Sequence, residues 1–168
     1  GNKKRVKSEL LPALKVWQIN HGYPYHFFTE ASINMGDDEA LLTAMREAGF
    51  NQVFIGIETP DPKRLEKTGK IQNLKSNMAH SIRTIQRHGI EVMAGFIIGF
   101  DSDKEDIFDR QITFIQQNGI PKAMIGFLNA LPGTRLYHRL MTEGRILKES
   151  LGNNTHCMTT NFKTIMNP

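Results

Sequence analysis

Three amphipathic stretches in this chain stop at a glycine, and each gives way at once to a run rich in β-branched and aromatic residues. Gly49 precedes "NQVFIGIET", Gly89 precedes "IEVMAGFIIGF" and Gly119 precedes "IPKAMIGFLNALPGT". Another aromatic run, about His26 to Ser32, lies ahead of the first of them. A helix closed by glycine and followed by an apolar strand marks a β-α unit. Helical crossovers join parallel strands, so the repeat predicts a parallel sheet with right-handed connections. The near-continuous apolar runs predict strands buried on both faces. The order read from the sequence is one helix and then β-α four times, an α/β fold. A doubly wound sheet and part of a (β/α) barrel both fit. Neither GxGxxG nor GxxxxGK[ST] occurs, which weakens the nucleotide-fold version.

The flanking segments add less. Val6, Leu10, Leu11, Leu14 and Trp17 recur at helical spacing, and Pro12 is expected to kink or divide that helix. Lys3, Lys4, Arg5 and Lys7 carry much of the net charge of +4. No base-reading pattern accompanies them, so they read as a solvated helix start and no nucleic-acid partner is expected. With 168 residues the chain can build one domain with a real core. No apolar run approaches the roughly 20 residues of a membrane helix. Cys157 is the one cysteine, which excludes an internal disulfide and a multi-cysteine metal site and suggests a reducing, cytoplasmic setting. Residues 1–147 read as the β-α body and 148–168 as an irregular tail. The histidines show no ligand spacing, and the methionines read as core filler.

In both candidate architectures ligands gather at the carboxyl ends of the strands. Here those ends are acidic. The first strand ends with Glu30 and Ser32 on one face, and the second with Glu58 on the face of Phe54 and Gly56. In the third, Gly95, Ile97, Gly99 and Asp101 are expected to share a face. The fourth offers Asn129 and the backbone near Ala130 and Leu131. Carboxylates at the ends of buried strands are costly unless they meet water, a partner or a ligand. Gly95 and Gly99 would clear space for a flat group on Ile97, with Asp101 at the margin.

These residues resemble the radical S-adenosylmethionine superfamily. "FFTEAS" resembles the third strand of its partial barrel, and "VFIGIETPDPKRLEKTGKIQN" the fourth strand with its loop. "GFIIGFDSDKEDI" is similar to the fifth-strand glycine–isoleucine–glycine motif and "NALPGTRLY" to the sixth-strand exit. The wording is closer still to the cobalamin-binding subfamily, which includes methylases of hopanoids and of bacteriochlorophyll side chains. The resemblance implies a partial parallel (β/α) barrel, strands three to six, cut from a longer enzyme. It implies S-adenosylmethionine as cofactor, with a [4Fe-4S] cluster and cobalamin held elsewhere in that enzyme, because the family's CxxxCxxC loop is absent here. Its implied net reaction is C-methylation of a small molecule, lipid or pigment precursor, with the isolated segment inactive. Carried over by position, Glu30 and Ser32 would lie beside the methionyl or ribose part, and Glu58 would accept from ribose hydroxyls. Ile97 would pack on adenine between Gly95 and Gly99. Asn129, Ala130 and Leu131 would meet the adenine edge, with Asp101 a looser member of the set.

Two other readings compete. Glu30 and Glu58 could act as a carboxylate pair in a barrel hydrolase, or the basic first helix could serve a non-enzymatic interaction module. A cut barrel also leaves its first strand as an edge, which invites pairing with another copy or cover by the first helix or the tail.

Overall fold

A computed structural model describes residues 3–61, 77–147 and 160–165. It opens with one α-turn at Lys3–Arg5, a π-helical segment at Val6–Leu10 and then α1 (Leu11–Asn20). The expected interruption at Pro12 takes the form of this π segment. Proline has no N–H, and its ring collides with the carbonyl four residues back. The wider π register, closed by Leu11 N–H on the Val6 carbonyl, delivers the chain to Pro12 at the start of α1. The basic start is paired: Lys3 and Lys7 reach Asp38 at 2.9 Å each, and Arg5 reaches Glu9 at 2.8 Å.

β1 (Phe27–Ala31), a 3₁₀ segment (Ile33–Asp37), α2 (Glu39–Glu47), β2 (Phe50–Glu58), α3 (Met78–Arg87), β3 (Glu91–Ile98), α4 (Ile107–Gln117), β4 (Lys122–Phe127) and α5 (Arg135–Thr142) follow. The strands form one parallel sheet in the order β1-β2-β3-β4. Asp38, Asn77 and Thr134 cap α2, α3 and α5 by accepting from the N–H of Leu41, His80 and Tyr137. The glycines that close α2, α3 and α4 all have positive φ, at +97°, +75° and +57°. Among the described residues no helix is long and apolar enough to cross a membrane. The loop expected at 60–73 lies almost entirely outside the described residues, as do Leu74–Ser76 of the third expected helix and most of the tail.

Burial alternates along the central strands. Val53, Ile55 and Ile57 of β2 and Val92, Ala94 and Phe96 of β3 are sealed beneath the helices with Ile33, Leu42, Ile82 and Ile85. Each of the Val, Leu, Ile and Phe side chains among them contributes about 1.5–3 kcal/mol over its exposed state. The intervening residues, Phe54, Gly56 and Glu58 of β2 with Met93, Gly95 and Ile97 of β3, are only half-buried. β4 is exposed along its whole length. The expectation of burial on both faces is therefore corrected. An apolar run shows that a strand is wanted in an interior, but not how many layers this chain itself supplies. β1 is an edge as expected, and β4 is the other.

Gly36 lies hard against α3. A Cβ there would lie 2.6 Å from Ser81 Cβ, 2.7 Å from its Cα and 2.8 Å from its carbonyl oxygen. Gly36→Ala must push the 3₁₀ segment off α3. Urea titration is expected to show a loss of about 1–3 kcal/mol, and an unchanged midpoint would contradict this packing.

Candidate functional site

Parallel register places the open-face residues in rows. Glu30 pairs with Phe54, Phe54 with Met93 and Met93 with Lys122. One row nearer the carboxyl ends, Gly56 pairs with Gly95 and Gly95 with Met124. Beyond it, Ile97 pairs with Gly126. Glu58 lies four positions beyond Phe54, the partner of Glu30, and so nearer the carboxyl end of the sheet. Ser32 lies just beyond β1, exposed, at the entrance to the 3₁₀ segment.

Glu58 has the most constrained backbone. Its φ is +66°, a region that costs a non-glycine residue about 1–3 kcal/mol. Thr59 N–H closes on the Ile57 carbonyl at 2.8 Å, so Glu58 sits at the centre of a three-residue turn with positive φ. The pairing with β3 slips at the same place, between Gly56 and Glu58. Buried Thr59 then accepts from Asp61 N–H at 3.3 Å, and Asp61 meets Arg110 of α4 at 3.3 Å. This turn takes Glu58 out of strand alternation and puts it at the sheet margin.

The expected clearance over Gly95 is already filled. A Cβ at Gly95 would come 2.7 Å from the Phe54 ring, so the glycine makes room for an aromatic of the neighbouring strand. The uncovered position beside Ile97 is Gly126, where an added Cβ would meet nothing nearer than 4.0 Å. Sequence reasoning passed over Gly126 and gave Phe54 no packing role. The signal was a large–small alternation, "FIG" against "AGF" against "IGF", readable only once the register is known.

The shared face of Gly95, Ile97, Gly99 and Asp101 is also corrected. β3 ends at Ile98, and Gly99 turns away with φ of +103°. Asp103, buried, accepts from Gly99 N–H at 2.7 Å and Phe100 N–H at 3.0 Å, which fixes the turn. Asp101 is held by arginines. Arg145 reaches its two oxygens at 2.5 and 3.0 Å, and Arg139 adds a contact at 2.9 Å. Ala130 offers no free backbone: its N–H goes to Asn161 Oδ1 at 2.8 Å and its carbonyl accepts from Asn161 Nδ2 at 2.9 Å. Leu131 is exposed and its carbonyl accepts from the Thr134 hydroxyl. Asn129 donates to the Phe127 carbonyl at 3.1 Å, while its buried Oδ1 has no partner among the described residues. Glu30, Ser32, Glu58, Ile97 and Asn129 lie along the carboxyl margin of the sheet, with Phe54, Met93 and Met124 in the rows behind them.

The comparisons agree with this geometry. No protein-family model matches the chain. It is 48% identical over 162 residues to an uncharacterized methyltransferase, sll1242, of Synechocystis, covering 96% of this chain and 30% of that protein. Against the hopanoid C-2 methylase of Rhodopseudomonas palustris it is 40% identical over 149 residues, covering 89% of this chain and 28% of the other. Among solved structures it superposes on the radical S-adenosylmethionine methyltransferase TsrM of Kitasatospora setae, which holds cobalamin and a [4Fe-4S] cluster. The TM-score is 0.63 at 15% identity, covering 84% of this chain and 28% of TsrM. The chain is thus similar to one stretch of these two methyltransferases, and it shares the fold of the matching part of TsrM. It spans about three tenths of the length of the two relatives. The partial-barrel expectation holds for the fold. Its four strands are a stretch of barrel wall, with helices outside and the half-open face inside.

The arginine clamp has a consequence in acid. Hydrogen bonds from Arg145, and its charge with that of Arg139, hold Asp101 below the ordinary carboxylate range against the opposing effect of burial. A carboxyl whose folded pKa is depressed stabilises the protein above its unfolded value, near 4, and loses that contribution as pH falls through the folded value. Asp101→Asn is expected to be less stable than wild type at pH 7, with the gap closing as urea titrations move from pH 5 towards pH 2. A constant gap across that range would show that Asp101 is not the titrating group.

Proposed function

We propose that this chain supplies the S-adenosylmethionine-holding wall of a radical C-methyltransferase that also uses cobalamin. The observation that carries the reading is Glu58, a carboxylate kept at a positive φ at the carboxyl margin of the open face. Strain of this kind persists where the surrounding structure over-determines it, and it clusters at ligand sites. A carboxylate there can accept from both ribose hydroxyls in charge-assisted bonds. Ile97, uncovered at Gly126, offers an apolar shelf for the purine. Glu30 and Ser32 would face the methionyl end, and Asn129 Oδ1 would accept from the adenine edge. Phe54, Met93 and Met124 suit an apolar acceptor, such as a lipid or a pigment precursor.

The cluster does not fit this chain. Among the described residues no three His, Cys, Asp or Glu side chains gather to hold a metal, and the sequence has a single cysteine where a [4Fe-4S] cluster takes several thiolates. Cluster and cobalamin would be held by other parts of the complete protein. The role of this wall is to bind and orient the nucleoside and to exclude water, while the cofactors supply the radical and methyl-carrier chemistry. The outer edges of β1 and β4, which pair with no further strand among the described residues, would meet further polypeptide, or a second copy when the chain stands alone.

Glu58→Gln and Glu58→Gly test the reading in the complete protein. Glycine tolerates positive φ, so Glu58→Gly is expected to keep the fold. Both variants should lose at least tenfold in S-adenosylmethionine affinity by equilibrium dialysis, along with anaerobic formation of 5′-deoxyadenosine. Wild-type affinity in either folded variant would remove Glu58 from the site.

A further inference from the structure

The carboxyl ends of β3 and β4 carry a second layer made by the chain itself. Residues 160–163 return from far along the sequence and run antiparallel to 145–147. Ile146 bridges Phe162, Leu147 N–H bonds the Asn161 carbonyl at 3.1 Å, and Lys163 N–H bonds the Arg145 carbonyl at 2.9 Å. Three side chains dock this return. The Thr160 methyl lies 3.0 Å from where a Cβ of Gly99 would be. Asn161, 4% exposed, takes both the N–H and the carbonyl of Ala130. Phe162, 2% exposed, packs with Ala130 and Leu140. From the other side Arg145 donates to the Lys163 carbonyl at 2.9 Å, stands over the Phe162 ring at 5.6 Å and grips Asp101.

An asparagine that pairs with both the N–H and the carbonyl of one buried residue fixes the two peptides that flank it. One of them joins Ala130 to Asn129, whose buried Oδ1 has no partner among the described residues. We infer that Asn161 is a positioning residue: by clamping Ala130 it sets Asn129 Oδ1 at the strand-four margin, and the 160–162 return forms the wall that bounds the ligand site on that side. The inference rests on the nucleoside reading above and adds to it the element that sets the position of its adenine-edge contact. Arg145 supports the same return through the Lys163 carbonyl and the Phe162 ring.

The test uses the complete protein, with S-adenosylmethionine as the probe and two independent readouts. Hydrogen exchange at the Ala130 amide reports the clamp. The dissociation constant from equilibrium dialysis, set beside that for S-adenosylmethionine in which adenine is replaced by hypoxanthine, reports the positioning. Asn161→Ala is expected to accelerate Ala130 exchange, to weaken S-adenosylmethionine at least fivefold and to shrink the preference for adenine over hypoxanthine. If Asn161→Ala does not fold, Arg145→Lys, which keeps the charge but loses the two-pronged grip, is expected to move both readouts the same way to a smaller extent. A folded variant with faster Ala130 exchange but unchanged affinity and base preference overturns the inference and leaves the nucleoside reading standing. Wild-type protein that fails to bind S-adenosylmethionine overturns both, and that result is recognised without any variant.

Discussion

The structure depends on one alternation. Val53, Ile55 and Ile57 lie beside Val92, Ala94 and Phe96, and every one of them faces the helices. With a side-chain period of two, sealing that set fixes the other set, Phe54, Gly56, Met93, Gly95 and Ile97, on the opposite face. A slip of one residue in either strand would exchange the two faces, so burial sets the register and the register sets which residues can meet a ligand. The acidic margin follows from where those strands are allowed to end.

At the margin, local rules give way to longer-range ones. β2 leaves strand geometry at Glu58 through a turn that costs backbone energy, and β3 leaves it at Gly99 through a turn that glycine tolerates and Asp103 holds. In both cases the side chains beyond the turn go where tertiary partners draw them: Asp61 to Arg110, Asp101 to Arg145 and Arg139. The two acids that read alike in sequence, Glu58 and Asp101, thereby part. One stays at the open face, and the other becomes the anchor of a guanidinium clamp.

This explains what could be read in the amino-acid sequence and what could not. The glycine stops at Gly49, Gly89 and Gly119 and the apolar runs after them are local signals, and the order of elements and the parallel sheet followed from them. Asp101 and Asp103 look like helix-opening acids, yet α4 starts only at Ile107, because Arg145 and the Gly99 turn recruit them. The filling of Gly95 by Phe54 needs the register between two strands. The clamp on Ala130 comes from Asn161, 31 residues away, and no periodicity carries that information. Burial on both faces was expected because an apolar run cannot say which covering layers belong to the same stretch of chain.

The central claim is that the open face at the ends of β2 and β3, and not the helical layer or the edges, receives the adenosyl group. Hydrogen exchange on the complete protein, with and without S-adenosylmethionine, tests it most directly. The account calls for ligand-dependent protection concentrated in the backbone at 56–60 and 95–99, with α2 and α3 unchanged. Protection confined to the helices, or none at the strand ends while the ligand is demonstrably bound, would contradict it.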